Sequence, residues 1–279
     1  MRIVLTGAAG QLGHALQASV ASHDVTALDR RQLDIANRVA VSTAVNACAP
    51  DLVIDAAAYN DVDGAESHHD KAYAANALGP RNLALATAAR GIPLLHVSTD
   101  YVFDGSATRP YHEFDRPNPR SVYGKSKLAG EDAVRELNHR HYIVRTAWLF
   151  HTVGRNFAKT ICGVAERPEV RVVSDQYGSP TYAPHLAEAL VQLIETGAYG
   201  TYHLAGRGGT SWFELTRTLY RHLGITTPVQ PVSTSEFPRP APRPRYSVLT
   251  TLQDPAILLP PWEDGAAAFA EAVQSRAAG

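Results

Sequence analysis

The stretch "RIVLTGAAGQLG" (residues 2–13) decides the fold. Its first half, "RIVLT", is a short apolar run rich in β-branched residues and reads as a buried strand. Gly7, Gly10 and Gly13 follow at the spacing G-x-x-G-x-x-G, and residues 11–22 read as a helix. A side chain in such a turn would hold a pyrophosphate away from the free N–H groups and the dipole of the helix N-terminus. Strand, glycine turn and helix together are the opening of a dinucleotide-binding βα unit.

Outward from there the alternation continues. "DVTALD" (24–29), "DLVIDAAA" (51–58), "PLLHVST" (93–99) and "HYIVRTAWLF" (141–150) read as further strands. Residues 39–49, 70–90 and 123–137 read as helices, the second with a break at Gly79-Pro80. Strands alternating with helices imply right-handed crossovers and a parallel sheet covered on both faces. The expected fold class is α/β: a Rossmann-like, doubly wound parallel sheet with a smaller, mixed C-terminal substrate domain. Residues 1–150 are expected to bind the dinucleotide, with room for later segments to return to that domain, and residues 151–279 to be mainly substrate-binding. Beyond 150 the rhythm loosens, and 228–247 is rich in proline.

The chain has 279 residues, 45% hydrophobic and 19% charged, the composition of an ordinary globular protein. A formal net charge of -1 supplies no global field toward nucleic acid or anionic membrane, so neither is expected as a partner. The N-terminus has no signal region, and no apolar run approaches the ~18 residues of a membrane span. Cys48 and Cys162 lie far apart and read as reduced thiols. A cytoplasmic location is expected.

Three signals carry chemistry. Asp29 ends the second strand about 22 residues after Gly7, where an acidic side chain can hold the adenosine ribose hydroxyls. Arg30 and Arg31 follow; they can pair with a 2′-phosphate or sit in a solvated loop, so NADH and NADPH both stay open. Asp34 and Ile35 come next and can flank the adenine. In "SVYGKSKLAGE" (121–131), Tyr123 and Lys127 stand four apart, about 40° from each other on one helix face. A phenol is a poor acid–base catalyst at neutral pH, and a neighbouring ammonium is expected to lower its pKa. Lys127 can also hold the nicotinamide ribose. In "VSTDYVFDG" (97–105), Thr99 sits at the carboxyl end of the fourth strand, where open α/β sheets bind ligands, and offers a hydroxyl to a substrate oxygen.

With the glycine turn, "DAAAYNDVDGAE" (55–66), "STDYVFDG" (98–105), "YGKSKLAGE" (123–131), "VRTAWLF" (144–150) and "DQYGSPT" (175–181) resemble the extended short-chain dehydrogenases/reductases. Within them they are most similar to the dTDP-4-dehydrorhamnose reductases, the last enzymes of dTDP-L-rhamnose synthesis. The resemblance spans nearly the whole chain. It implies an NAD(P)H-dependent reduction of the C4 ketone of dTDP-4-dehydro-β-L-rhamnose, a dTDP-4-keto-6-deoxysugar. It also implies Gly10, Gln11 and Leu12 at the pyrophosphate, Asp34 and Ile35 at the adenine, and Ala57, Ala58 and Tyr59 along the third strand end. Thr99, Tyr123 and Lys127 match the family's catalytic trio. Asp100, Val62 and Trp148 match substrate-pocket positions, and Asn156 falls where related enzymes grip the nucleotide-sugar. Arg239, Arg243 and Arg245 in "PRPAPRPR" are candidates for the diphosphate, since guanidinium forks suit phosphate oxygens; the tract also reads as a polyproline II spacer with solvated arginines.

Related 4,6-dehydratases typically carry Thr-Asp-Glu after the fourth strand, the glutamate acting as a base. Here the run is Thr99-Asp100-Tyr101, and that base is missing. Another 4-ketoreductase, an epimerase using the same trio, or a regulatory subunit like the β-subunit of methionine adenosyltransferase stays open. Some family members dimerise through a metal held by glutamates, one in the first helix. Here His14-Ala15-Leu16 stands in that helix, so no structural metal and a monomer or weak homodimer are expected.

Overall fold

The computed structural model describes residues 1–254 and 256–277. β1 (Arg2–Thr6) runs through the glycine turn into α1 (Gln11–Ser19), followed by β2 (Asp24–Leu28), α2 (Arg38–Cys48) and β3 (Leu52–Asp55). Short helices α3 (Val62–Ala65) and α4 (His69–Tyr73) lead through a π-helical turn, Ala74–Leu78, into α5 (Gly79–Ala88). β4 (Leu94–Thr99), α6 (Val122–Leu137) and β5 (His141–Thr146) follow. The strands pair in parallel, and Gly200–His203 joins outside β5, giving the order Gly200–His203, β5, β4, β3, β1, β2. This is the expected Rossmann-like α/β sheet. Strand order reverses at β1, so the crevice beyond the carboxyl ends of β1 and β3 is the natural ligand site.

Later in the chain come α7 (Phe157–Cys162), α8 (Ala183–Thr196), α9 (Trp212–Leu223) and α10 (Trp262–Ala277). One face of the sheet, through Ile3, Leu5, Leu95 and Val144, packs on Leu12 and Leu16 of α1 and Leu186 and Leu190 of α8. Val4, Val53, Leu94 and Ile143 on the other face pack on Val41, Leu83 and Val134. Phe150, Leu215, Leu219 and Phe269 form a core of their own. Thus α8 and Gly200–His203 pack with the central sheet, while α7, α9 and α10 share the separate core. Among the described residues, no helix is long and apolar enough to cross a membrane.

Side chains alternate along a strand, so residues two apart share a face. Toward the carboxyl ends, the α6 face changes from apolar to polar. Thr6 pairs with Asp55, Asp55 with His96, Ser98 with Arg145, and Arg145 with His203, each in cross-strand register. α6 lays Lys127 and Glu131 over this layer; Arg145 Nη2 donates to Glu131 Oε2 at 2.7 Å and Ser98 Oγ to Glu131 Oε1 at 2.6 Å.

Two expectations are corrected. Gly79-Pro80 does not break the helix, which runs from His69 to Ala88 through the π-turn. Pro80 lacks the N–H that an α-helix would give to Asn76 O, and α6 packs onto that carbonyl instead: a Cβ on Gly130 would lie 2.2 Å from it. The fifth strand does not reach 150. Trp148 adopts φ +46°, a left-handed conformation that ends the ladder.

Candidate active site

Tyr123 and Lys127 owe their positions to how α6 begins. Ser121 Oγ accepts the Gly124 N–H at 3.1 Å, and Glu66 Oε1 accepts the Val122 N–H at 2.8 Å. The first turn then sits directly on the segment after β4, where a Cβ on Gly124 would meet Tyr101 O at 2.2 Å. Tyr123, Lys127, Thr99, Asp100, Val62, Trp148 and Asn156 line one cleft of about 420 Å³.

Burial pushes the Tyr123 phenol up to about 12, the Thr99 hydroxyl opposing it. The expected lowering by Lys127 is not seen. Lys127 Nζ is turned beneath the strand edge, donating to Val97 O at 2.6 Å, with His96 Nε2 at 3.5 Å. Burial holds the Lys127 ammonium down at about 8, against the pull of Asp55 and Glu131. Thr99 Oγ1 donates to Asp100 Oδ1 at 3.1 Å, and Ser247 Oγ donates to Asp100 Oδ2 at 2.6 Å. Burial raises the Asp100 carboxyl to about 6 in spite of these donors.

A second cavity of about 430 Å³ is lined by Gly7, Asp29, Arg30, Asp34, Ile35, Ala57 and Tyr59. Gly10, Ala56, Ala58 and Asn60 line both cavities, which therefore form one two-lobed groove. Its waist is the glycine turn. Gly7 has φ +72°, and a Cβ there would lie 2.6 Å from the Ala56 backbone; one on Gly13 would lie 2.3 Å from Gly7 O. Gly10 caps α1 with no side chain, leaving the amides of the first turn open. A dinucleotide fits this shape: a pyrophosphate at the waist, adenosine in the lobe with Asp29 and Arg30, nicotinamide in the lobe with Tyr123.

Some residues are already engaged. Asp29 Oδ1 accepts the Arg31 and Gln32 N–H groups, and Asp34 Oδ1 that of Ala36. Leu12 is buried in the core, so only its backbone is available to a phosphate. Asn156 Nδ2 donates to Gln11 Oε1 at 2.8 Å, tying the glycine turn to the segment after β5. Arg239 and Arg243 are not in the cleft wall. Arg243 Nη2 donates to Asp63 Oδ2 at 2.9 Å, and Arg239 lies exposed over the Phe237 ring.

Sequence reasoning missed several cleft residues. Thr146 is buried in the wall, and among the described residues its hydroxyl has no hydrogen-bond partner. Its register opposite Thr99 at the strand end was the available signal. Trp212 stacks on Trp148 with ring centroids 3.4 Å apart and planes within 5°. Nothing in the sequence links residues so far apart. Asn60 was passed over within a motif already noticed.

The family model described as the RmlD substrate binding domain matches residues 1–275. The chain is 45% identical over 262 residues to a dTDP-4-dehydrorhamnose reductase of Mycobacterium tuberculosis, covering 90% of this chain and 86% of that one. Among solved structures it is similar to a dTDP-4-dehydrorhamnose reductase of Clostridium acetobutylicum, with TM-score 0.95, 42% identity and coverage of 98% and 100%. Another is the dTDP-4-dehydrorhamnose reductase of Bacillus anthracis in complex with NADP, with TM-score 0.94, 42% identity and coverage of 96% and 98%.

Proposed function

Because the chain belongs to the dTDP-4-dehydrorhamnose reductase family, we propose that it reduces the C4 ketone of dTDP-4-dehydro-β-L-rhamnose to the alcohol of dTDP-L-rhamnose, using NADPH or NADH. The observation that carries this reading is the convergence of Thr99, Tyr123 and Lys127 on one lobe of a groove whose waist is an uncapped helix N-terminus. When bound, the dinucleotide supplies the hydride.

The rest falls to the chain. A phenol held up at about 12 keeps its proton through the neutral range, which is what a donor to a developing alkoxide requires. Asp100 accepts from the Thr99 hydroxyl and fixes its direction beside the phenol. Lys127 clamps the ribose. Asp29 and Arg30 share the adenosine lobe, the acid suited to ribose hydroxyls and the guanidinium to a 2′-phosphate. The indole of Trp148, backed by Trp212, gives the sugar a flat apolar wall. In this reading α7, α9, α10 and the tract around Arg239 and Arg243 belong to the substrate side.

No carboxylate occupies the position of Tyr101, so the dehydration that needs a base there is disfavoured. The test is oxidation of NADPH and NADH by purified protein against a panel of nucleotide 4-keto-sugars, with Tyr123→Phe alongside. The variant should lose roughly 10²–10⁴ in kcat while still binding cofactor. Inertness of the wild type toward every keto-sugar would defeat the assignment.

A further inference from the structure

The polar layer beneath α6 contains two titratable groups that the chemistry above leaves unused. Asp55, on β3, and His96, on β4, are both fully buried and lie in cross-strand register. His96 Nδ1 is 2.8 Å from Asp55 Oδ2, while Asp55 Oδ1 accepts Thr6 Oγ1 at 2.7 Å and the Ala57 N–H at 3.2 Å. Burial lowers the His96 pKa and the facing Lys127 ammonium lowers it further, so the ring is neutral. Burial would raise the Asp55 carboxyl, but His96, Thr6 and Lys127 together leave it below its usual value, so it is ionised. A neutral ring donating from Nδ1 to a carboxylate has its lone pair on Nε2, and that atom faces Lys127 Nζ at 3.5 Å.

We propose that Asp55 and His96 are positioning residues for Lys127: they hold its ammonium under the strand edge and keep it charged, so that one N–H remains for the dinucleotide ribose. This rests on the reading of Lys127 as the ribose clamp. The ammonium has three donors; Val97 O takes one and His96 Nε2 meets a second. Other titratable groups lie around the same ammonium. Tyr123, which keeps its proton, and Glu131 come from its own helix, Glu131 being paired with Arg145 of β5 and Arg135 of α6. Asp100 and Tyr101 stand at the end of β4. Asp55 leads the groups that favour the charged lysine, ahead of Glu131.

The experiment is a fluorescence titration of NADPH binding from pH 6.5 to 9.5, which reads the clamp without any sugar. In the wild type, affinity should weaken as pH rises through about 8. Asp55→Asn keeps the shape and removes the charge. It should move this alkaline limb down by about one pH unit, giving several-fold weaker binding at pH 8 and little change at pH 6.5. His96→Asn keeps a donor for Asp55, but its shorter side chain places no acceptor where Nε2 faces Lys127, and should also weaken binding several-fold at pH 8. It serves if Asp55→Asn does not fold. Lys127→Met should abolish the limb in every background. An unmoved limb in folded Asp55→Asn, or unchanged binding at pH 8 in His96→Asn, overturns the inference. Inertness toward keto-sugars with these shifts intact would instead sink only the assignment of the substrate.

Discussion

Replacing Asp100 by Asn should shift stability toward the mutant as the pH rises. The wild-type carboxyl is fully buried and raised from 3.8 to about 6. A raised acid binds its proton more tightly in the folded state, so its ionisation opposes folding above that range. At about 1.36 kcal/mol for each tenfold change in acidity, a rise of this size costs the ionised fold about 3 kcal/mol. The cost is absent below the unfolded pKa and complete above the folded one. Roughly half of it, on the order of 1–2 kcal/mol, develops between pH 5 and pH 8. Asn resembles the protonated acid and lacks this penalty. Urea unfolding of both proteins at pH 5 and pH 8 should show the stability difference moving toward the mutant by roughly 1–2 kcal/mol. Turnover should fall in parallel, because Thr99 loses a charged acceptor. A stability difference unchanged between the two pH values, or one moving toward the wild type as pH rises, would refute the reasoning.

Lys127→Met should weaken NADPH binding and lower kcat; near-wild-type values for both would mark Lys127 as a packing residue only. Arg30→Ala should raise KM for NADPH more than for NADH, and equal changes would show that Arg30 does not read the 2′-phosphate. Thr146→Val removes a hydroxyl with no protein partner among the described residues, so the melting temperature should hold or rise. If that hydroxyl meets a ligand, KM for cofactor or sugar should rise by up to about tenfold, the worth of one hydrogen bond; an unmoved KM for both would leave Thr146 without a ligand.

The inner strands were legible because each is a short apolar run bounded by turn residues, a pattern set by two-sided burial, whereas β2 at the sheet edge is only part-buried. Tyr123 and Lys127 were legible as a pair from helix spacing and Thr99 from its place at a strand end, while their meeting depends on how α6 begins against the segment after β4. The orientation of Lys127 was not. Helical spacing placed it beside Tyr123, but its ammonium answers to Val97 O and His96, which depend on β3 and β4 lying in register. The pairing of Arg243 with Asp63 was equally hidden, since it joins residues 180 positions apart. Trp148 misled for a local reason: "HYIVRTAWLF" is continuous in strand propensity, while the ring of Trp148 packs on Trp212 and Gly178, far along the chain.

The π-turn between α4 and α5 makes chain length locally adjustable. A π-turn is an α-helix carrying one surplus residue, so deleting one residue within 74–78 would restore regular pitch and leave both flanking helices aimed as before. The casualty would be Asn76, whose side chain accepts the Tyr59 N–H at 2.8 Å and donates to Tyr59 O at 3.1 Å and Ser126 Oγ at 3.0 Å. That surplus residue thus acts as a shim, setting the spacing between the adenosine lobe, at Tyr59, and the helix that carries Tyr123. Shortening it would spare the scaffold while detuning the gap that the dinucleotide must span.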